Sequence, residues 1–376
     1  MVFKFIINKE HEFVYTESKN NDKNKVAFFD LDYTLIKPKS GRKFPKDKDD
    51  YIFMFENVIE VLNNYINNDY HIFIISNQSG LLKEKNIEKY EAMKYKLNKI
   101  FQDIENITIF LACSENYYRK PHSGAFHFYE SLYNVKINKK SSFFCGDALG
   151  RKNDFSASDY YFALNNNLKV YSPETIFHNN IKKNEYILDI KRPFLKNALS
   201  KENKQNFEDL INNINAINGQ KLIIMNGSPS SGKSTFTYYM CKDYDFICCE
   251  SDVLKTKLEK TVEKELKNGN NIIVDATNAT KAHRKKYIEM ASNINSQINI
   301  ICVYIPYHEE LIHHLQHYRI EKSRGLISAL PEIALRVYKS KYEKPIKSEG
   351  FNYLFEYNPY FTFSNKSDEA DFMKYY

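Results

Sequence analysis

The stretch Val26-Ala-Phe-Phe-Asp30-Leu-Asp32-Tyr-Thr34 is a short apolar run that ends in two carboxylates two residues apart. Such a run, closed by Asp, reads as a buried strand, and pleat alternation points residues i and i+2 the same way. Two like charges converging there are costly without a cation, and Mg²⁺ is the hard, oxygen-seeking ion that suits them. Taken alone, Asp-x-Asp reads more readily as a turn or helix cap than as a catalytic pair. Three further elements follow in order, each closing an apolar run. Ile74-Ile-Ser76-Asn77-Gln78 offers a hydroxyl and an amide for phosphate oxygens. Arg119-Lys120-Pro121 offers cations, and Phe144-Cys-Gly146-Asp147 offers a third carboxylate for the metal, with Asp154 close behind. Ligand groups of α/β sheets gather at the carboxyl ends of strands, so the four elements converge on one site. One carboxylate held against a metal can attack phosphorus while the other shuttles protons.

Apolar runs at 26–29, 71–75, 107–112 and 142–145 alternate with periodic segments at 53–67 and 89–103, the pattern of an α/β sheet with mainly parallel strands. A second series begins at 221–225 and continues at 246–249, 271–274 and 298–305. The polar, Asn-rich stretch around 182–220 is weakly patterned. We therefore expect a first domain over residues 1–185, a linker over 186–219 and a second domain over 220–376. No internal repeat is evident.

The second series opens with Lys221-Leu-Ile-Ile-Met-Asn-Gly227-Ser228-Pro229-Ser230-Ser231-Gly232-Lys233-Ser234-Thr235. It matches GxxxxGK[ST] between a strand and a helical stretch, the context of a phosphate-binding loop. There backbone N–H groups cradle nucleotide phosphates, Lys233 reaches the β and γ oxygens, and Ser234 ligates Mg²⁺. Cys248-Cys-Glu250-Ser251-Asp252 places Asp252 at the next strand end, where it can deprotonate an attacking hydroxyl. Asp275, closing Ile272-Ile-Val-Asp275, either supports the metal or acceptor or caps its strand. Arg319, Lys322 and Arg324 form a basic helical stretch that either closes over the phosphates or stays solvated. His308, His313, His314 and His317 do not predict a metal site, because no Glu lies between His313 and His317 as in HExxH.

At 376 residues the chain is long enough for two or three domains, and 43% hydrophobic with 27% charged residues is a globular composition. No apolar run approaches the ~20 residues of a membrane-spanning helix, and no signal-peptide core forms near residue 1. Lys+Arg 54 against Asp+Glu 47 gives +7, which permits a polyanionic partner without requiring one. The six cysteines show no CxxC spacing, so reduced thiols and an intracellular setting are expected, nuclear for a eukaryotic host genome and otherwise cytoplasmic.

The first motif set resembles the haloacid dehalogenase superfamily of phosphatases. The resemblance implies that Asp30 is the nucleophile, Asp32 the general acid/base, and Ser76 and Lys120 the phosphate holders, with Asp147 helping to bind Mg²⁺. Tyr33 stands where many members carry Gly. With the P-loop set the whole order resembles the polynucleotide kinase 3′-phosphatase family. The specific match runs through Ser40-Gly-Arg-Lys-Phe-Pro45, Tyr118-Arg-Lys-Pro-His-Ser-Gly124, Gly146-Asp-Ala-Leu-Gly-Arg151, Asp154-Phe-Ser and Val274-Asp-Ala-Thr-Asn278. This resemblance implies a haloacid dehalogenase-like, Rossmannoid phosphatase domain followed by a P-loop NTPase-fold kinase domain. It further implies removal of 3′-phosphates, and phosphorylation of 5′-hydroxyl ends of DNA with ATP. Alternatives are RNA end repair, a metabolite phosphatase fused to a metabolite kinase, and an inactive scaffold. The implied sites are Asp30, Asp32 and Asp252 for catalysis; Thr34, Ser76, Asn77, Arg119 and Lys120 for substrate; Gly227–Thr235 and Arg319 for ATP. Asp30, Asp32, Asp147 and Ser234 are the implied metal ligands. Tyr117 and Tyr118 are expected to offer a ring to the terminal base. A monomer is expected. Ser251 stands where the family often has Arg, so one substrate-phosphate or acceptor contact is either missing or supplied by Lys255 or Lys257. Only about two dozen residues precede the phosphatase, so recruitment through a forkhead-associated domain is not expected.

Overall fold

The computed structural model describes residues 2–18, 22–82, 86–178, 192–327 and 329–376. They divide into two compact units. The first comprises Met1–Ile190, His317–Ala329 and Ala370–Tyr376; the second comprises Lys191–Gln316 and Leu330–Glu369. Among the described residues no helix is long and apolar enough to cross a membrane.

The first unit holds strands β1 (Phe5–Asn8), β2 (Phe13–Thr16), β3 (Val26–Phe29), β4 (Ile36–Lys37), β5 (Ile52–Phe53), β6 (His71–Asn77), β7 (Ile107–Ala112), β8 (Phe143–Cys145) and β9 (Lys169–Tyr171). Seven of them form one sheet in the order β1-β2-β7-β6-β3-β8-β9. From β7 to β9 all neighbours are parallel, and the β1–β2 hairpin joins antiparallel at one edge. Both faces are covered, so the central strand reads as continuous apolar sequence. Ala27 and Phe29 pack with Leu62 and Leu97 on one face, and Val26 and Phe28 with Phe126 and Phe162 on the other. Phe29 lies opposite both Ile74 and Cys145, so Asp30, Ser76 and Asp147 emerge along one carboxyl edge. The helix expected over 53–67 starts later, at Val58, because Ile52 and Phe53 pair with Lys37 and Ile36 as a small β4–β5 ribbon.

The second unit contains β10 (Lys221–Asn226), β11 (Phe246–Glu250), β12 (Asn271–Asp275), β13 (Asn299–Tyr304) and β14 (Tyr353–Glu356), all parallel in the order β11-β12-β10-β13-β14. The linker expectation is corrected here. Although residues 179–191 lie outside the described set, Pro193–Ala198 and Lys201–Asn215 are helices. In the longer one Phe207, Leu210, Ile211 and Ile214 form an i, i+3, i+4, i+7 stripe buried against Ile223, Met225, Phe236 and Met240. Surrounding Asn, Lys and Glu residues mask that stripe in the sequence. The helix starts at Ser200, whose hydroxyl accepts from the Asn203 N–H at 3.0 Å. Residues 317–329 and 370–376 also depart from the expected division, since they belong to the first unit.

Candidate active sites

At the carboxyl edge of the first sheet the Lys120 ammonium is buried between carboxylates, 2.6 Å from Asp30 Oδ1 and 2.7 Å from Asp159 Oδ1. It also donates to the Ile75 carbonyl at 3.0 Å. Asp30, Asp147 and Asp159 offer oxygens that all lie within 4.8 Å of one another. Asp32 keeps different company. Its Oδ2 accepts from Gln78 Nε2 at 2.7 Å and faces the Ser76 hydroxyl at 3.5 Å, and Gln78 also donates to Ser76 Oγ at 2.8 Å. The carboxylate cluster contains Asp159, which sequence reading missed, while Asp32, expected among the metal ligands, lies outside it and turns its Oδ2 to Gln78. Asp159 sits in the first turn of the helix Ser158–Asn165. Nothing in the loop sequence separates it from Asp154, which instead anchors Arg151 and the Leu149 N–H. A Cβ on Gly146 would lie 2.1 Å from Asp159 Oδ2, so only glycine leaves room for this carboxylate.

Burial pushes the Asp30 carboxyl up; Lys120 opposes that rise, and Asp159 and Asp147 add to it. Burial, then Asp159, lifts Asp147 to about 7. Asp32 is also raised by burial, against the pull of Lys96, a buried residue of the helix Ile87–Ile100, and of Gln78. Burial works against the Lys120 ammonium, yet Asp159 and Asp30 outweigh it and raise its pKa. Three carboxylates around one ammonium leave an excess of negative charge made of hard oxygen donors. That donor set fits Mg²⁺.

Asn77 brackets the Lys120 backbone, accepting from its N–H and donating to its carbonyl, each at 3.0 Å. It therefore holds the lysine segment. Thr34 is buried, and among the described residues its hydroxyl has no hydrogen-bond partner. The expected strand grip is corrected: Tyr117 is buried, bonded to His127, and Tyr118 packs on Phe13 and His11. Arg119 is engaged by Glu115 at 2.9 Å and Ser79 at 2.7 Å. The exposed rings lie elsewhere. Phe44 and Phe155 are 71% and 81% exposed, and the Lys43 ammonium stands 4.0 Å from the Phe155 centroid. Phe44 belongs to the loop between β4 and β5, and Phe155 to the loop after Asp147. Tyr33 links this region to Asp32: in left-handed backbone (φ +59°), its hydroxyl donates to the Lys43 carbonyl at 2.9 Å.

In the second unit residues 227–232 curl between β10 and the helix Lys233–Asp243, with Ser230 and Gly232 at φ +57° and +95°. The loop's base is stapled to the end of β12: Asn226 donates to the Asn278 carbonyl at 2.8 Å, and Asn278 donates to that of Met225 at 2.7 Å. Lys233 is buried and donates to the Gly227 and Ser228 carbonyls. Burial raises the Asp275 carboxyl, against the pull of Lys233 and of the Ser234 hydroxyl. Lys233 and Ser234 of the P-loop thus both act on Asp275, and Ser234 with Asp275 brings together two oxygen donors of the kind that suits Mg²⁺. Asp252, exposed on the short helix Ser251–Leu254, acts on the charge of Asp275, as does Glu250, which lies opposite it in the register. Arg319 falls in a stretch of the first unit, whereas the P-loop lies in the second.

Residues 25–177 match the family Polynucleotide kinase 3 phosphatase, and residues 250–345 match an AAA domain. A bifunctional polynucleotide phosphatase/kinase of Schizosaccharomyces pombe is 30% identical over 332 residues, covering 87% of this chain and 78% of that protein. A putative bifunctional polynucleotide phosphatase/kinase of Acanthamoeba polyphaga mimivirus is 28% identical over 96% of this chain and 92% of its own length. A polynucleotide 3′-phosphatase of Saccharomyces cerevisiae is 30% identical, covering 47% of this chain and 97% of that one. With a carboxylate–lysine site on one sheet, a P-loop on the other and relatives matched across both, the chain belongs to the bifunctional polynucleotide phosphatase/kinase family.

Proposed function

We propose that this enzyme heals broken DNA ends, removing 3′-phosphates through an aspartyl-phosphate on Asp30 and phosphorylating 5′-hydroxyls with ATP. The observation that carries the phosphatase half is the Lys120 ammonium held between Asp30 and Asp159. Asp30 attacks phosphorus while Asp32, its carboxyl raised by burial and oriented by Gln78, gives its proton to the departing 3′ oxygen. Asp32 then takes a proton from the water that attacks the aspartyl-phosphate, releasing inorganic phosphate and restoring Asp30. Lys120 and the Ser76 hydroxyl hold the phosphoryl oxygens. Mg²⁺ on Asp30, Asp147 and Asp159 would neutralise charge on those oxygens. In the kinase unit Asp252 accepts the proton of the attacking 5′-hydroxyl, and the loop 227–235 with Lys233 holds the ATP phosphates.

Exposed Phe44 and Phe155 beside Lys43 favour a strand over a small metabolite, because bases stack on such rings for ~1–3 kcal/mol each. The test is one purified preparation assayed on 3′-phosphate and 5′-hydroxyl oligonucleotides, DNA and RNA side by side, with p-nitrophenyl phosphate as a strandless control. Faster turnover of DNA ends is expected. A preference for small phosphomonoesters would overturn the end-healing reading, and a preference for RNA would overturn its DNA assignment.

A further inference from the structure

The first unit is not continuous in sequence. It includes His317–Ala329 and Ala370–Tyr376, both outside the stretch 25–177 that matches the phosphatase family. These segments converge on the three residues after Lys120. Glu321, 1% exposed, takes His122 Nδ1 at 3.0 Å and the Ser123 N–H at 3.3 Å on Oε2. Its other oxygen accepts from Lys374 Nζ at 2.5 Å, and Lys374 also donates to the Ser123 hydroxyl at 3.1 Å. The Pro121 carbonyl accepts from Asn165 Nδ2 at 3.0 Å, and Asn165 pairs in both directions with the Tyr375 backbone, at 2.6 and 2.8 Å. His317 Nδ1 lies 3.0 Å from His122 Nε2. Burial opposes the charge on Glu321, but the His122 hydrogen bond and Lys374 outweigh it and hold the carboxyl near 2. Asn77 fixes the Lys120 backbone from the sheet side, so the lysine segment is gripped from both directions.

We infer that Glu321 and Lys374 are positioning residues of the phosphatase, acting through His122 and Ser123 to place the Lys120 ammonium against Asp30. The inference rests on the reading of Lys120 as the cation that holds the phosphoryl group. A buried carboxylate joined to an ammonium and two donors narrows the geometry of the segment it grips, beyond what the Asn77 bracket, the Asn165 bond and the His317 contact supply. Lys120 acts on the phosphoryl group and not on the strand, so losing the clasp should slow chemistry equally on long and short substrates.

The experiment uses the full chain with Lys374→Met, Lys374→Arg and Glu321→Gln, and Lys120→Met as reference. Lys374→Met is expected to lower phosphatase kcat about tenfold on both a 3′-phosphate oligonucleotide and p-nitrophenyl phosphate. The oligonucleotide KM should stay within twofold and 5′-kinase activity should be unchanged. Lys374→Arg should restore most of the loss. Glu321→Gln is expected to match or exceed Lys374→Met, with folding followed by thermal unfolding; should it not fold, Lys374→Met decides alone. Unchanged kcat in a folded Lys374→Met protein overturns the proposal. So does a matched loss of both activities, which assigns the cluster to folding. If Lys120→Met itself retains phosphatase activity, the reading of Lys120 fails instead.

Discussion

Asp30 and Asp32 are two residues apart, yet one shares an ammonium with Asp159 and the other hangs on an amide. That difference suits the first to attack and the second to carry a proton. Asp30→Asn should abolish 3′-phosphate removal and leave 5′-phosphorylation intact, while Lys233→Ala or Asp252→Ala should do the reverse. Phosphatase activity surviving in Asp30→Asn would reject the nucleophile. Gln78→Leu removes a hydrogen bond to a carboxylate, worth about 1.5–3 kcal/mol. Phosphatase kcat should then fall roughly ten- to hundredfold by that figure, measured on p-nitrophenyl phosphate so that strand binding does not enter. Gly146→Ala would drive a methyl into Asp159, so loss of phosphatase with retained kinase is expected.

At the scale of elements, the helix Lys201–Asn215 covers one face of the second sheet. Ile214 is fully buried there, and Ile214→Ala should cost about 2–5 kcal/mol in denaturant unfolding of the kinase unit. A value near zero would return this segment to the role of a tether. Strand β6 begins with His71, whose ring is buried against Thr108 Oγ1 at 2.9 Å and whose pKa falls from 6.5 to about 3 through burial, with Lys23 adding. The unfolded chain binds this proton first, so the folded state loses stability as pH drops below about 6.5. By that linkage wild type should lose roughly 2 kcal/mol more than His71→Leu between pH 7 and pH 5. Equal losses in urea titrations at the two pH values would show that the ring is not buried neutral.

For the whole molecule, each unit carries its own oxygen-donor site, Asp30 with Asp147 and Asp159 in one and Ser234 with Asp275 in the other. EDTA should therefore stop both reactions and Mg²⁺ restore both; full activity of either after exhaustive chelation would remove the metal from that site. Phe44 and Phe155 are strongly exposed on two loops of the first unit, so Phe44→Ala and Phe155→Ala should raise the oligonucleotide KM several-fold, in line with ~1–3 kcal/mol per stacked base. Hydrolysis of p-nitrophenyl phosphate should be untouched. Equal loss on both substrates would assign the rings to folding.

What the sequence determined by itself is the pair of α/β sheets and the residues at their strand ends. Continuous apolar runs such as Val26–Phe29 encode strands buried on both faces, and Asp30, Ser76, Lys120, Asp147 and the P-loop are legible because each terminates or follows such a run. Tertiary structure alone decided the rest. Asp159 enters the carboxylate cluster because Gly146 leaves space for it, and one Asp32 oxygen is held by Gln78 instead. Tyr117 and Tyr118 turn inward while Phe44 and Phe155 stay in solvent, although nothing local distinguishes these aromatic residues. Residues 317–329 and 370–376 join the first unit from beyond the P-loop, since Glu321 and Lys374 pair with His122 and Ser123 roughly 200 positions or more away. Local pattern records which face of an element is apolar; it does not record which distant charge will meet which, because that depends on the packing of elements far apart in the chain.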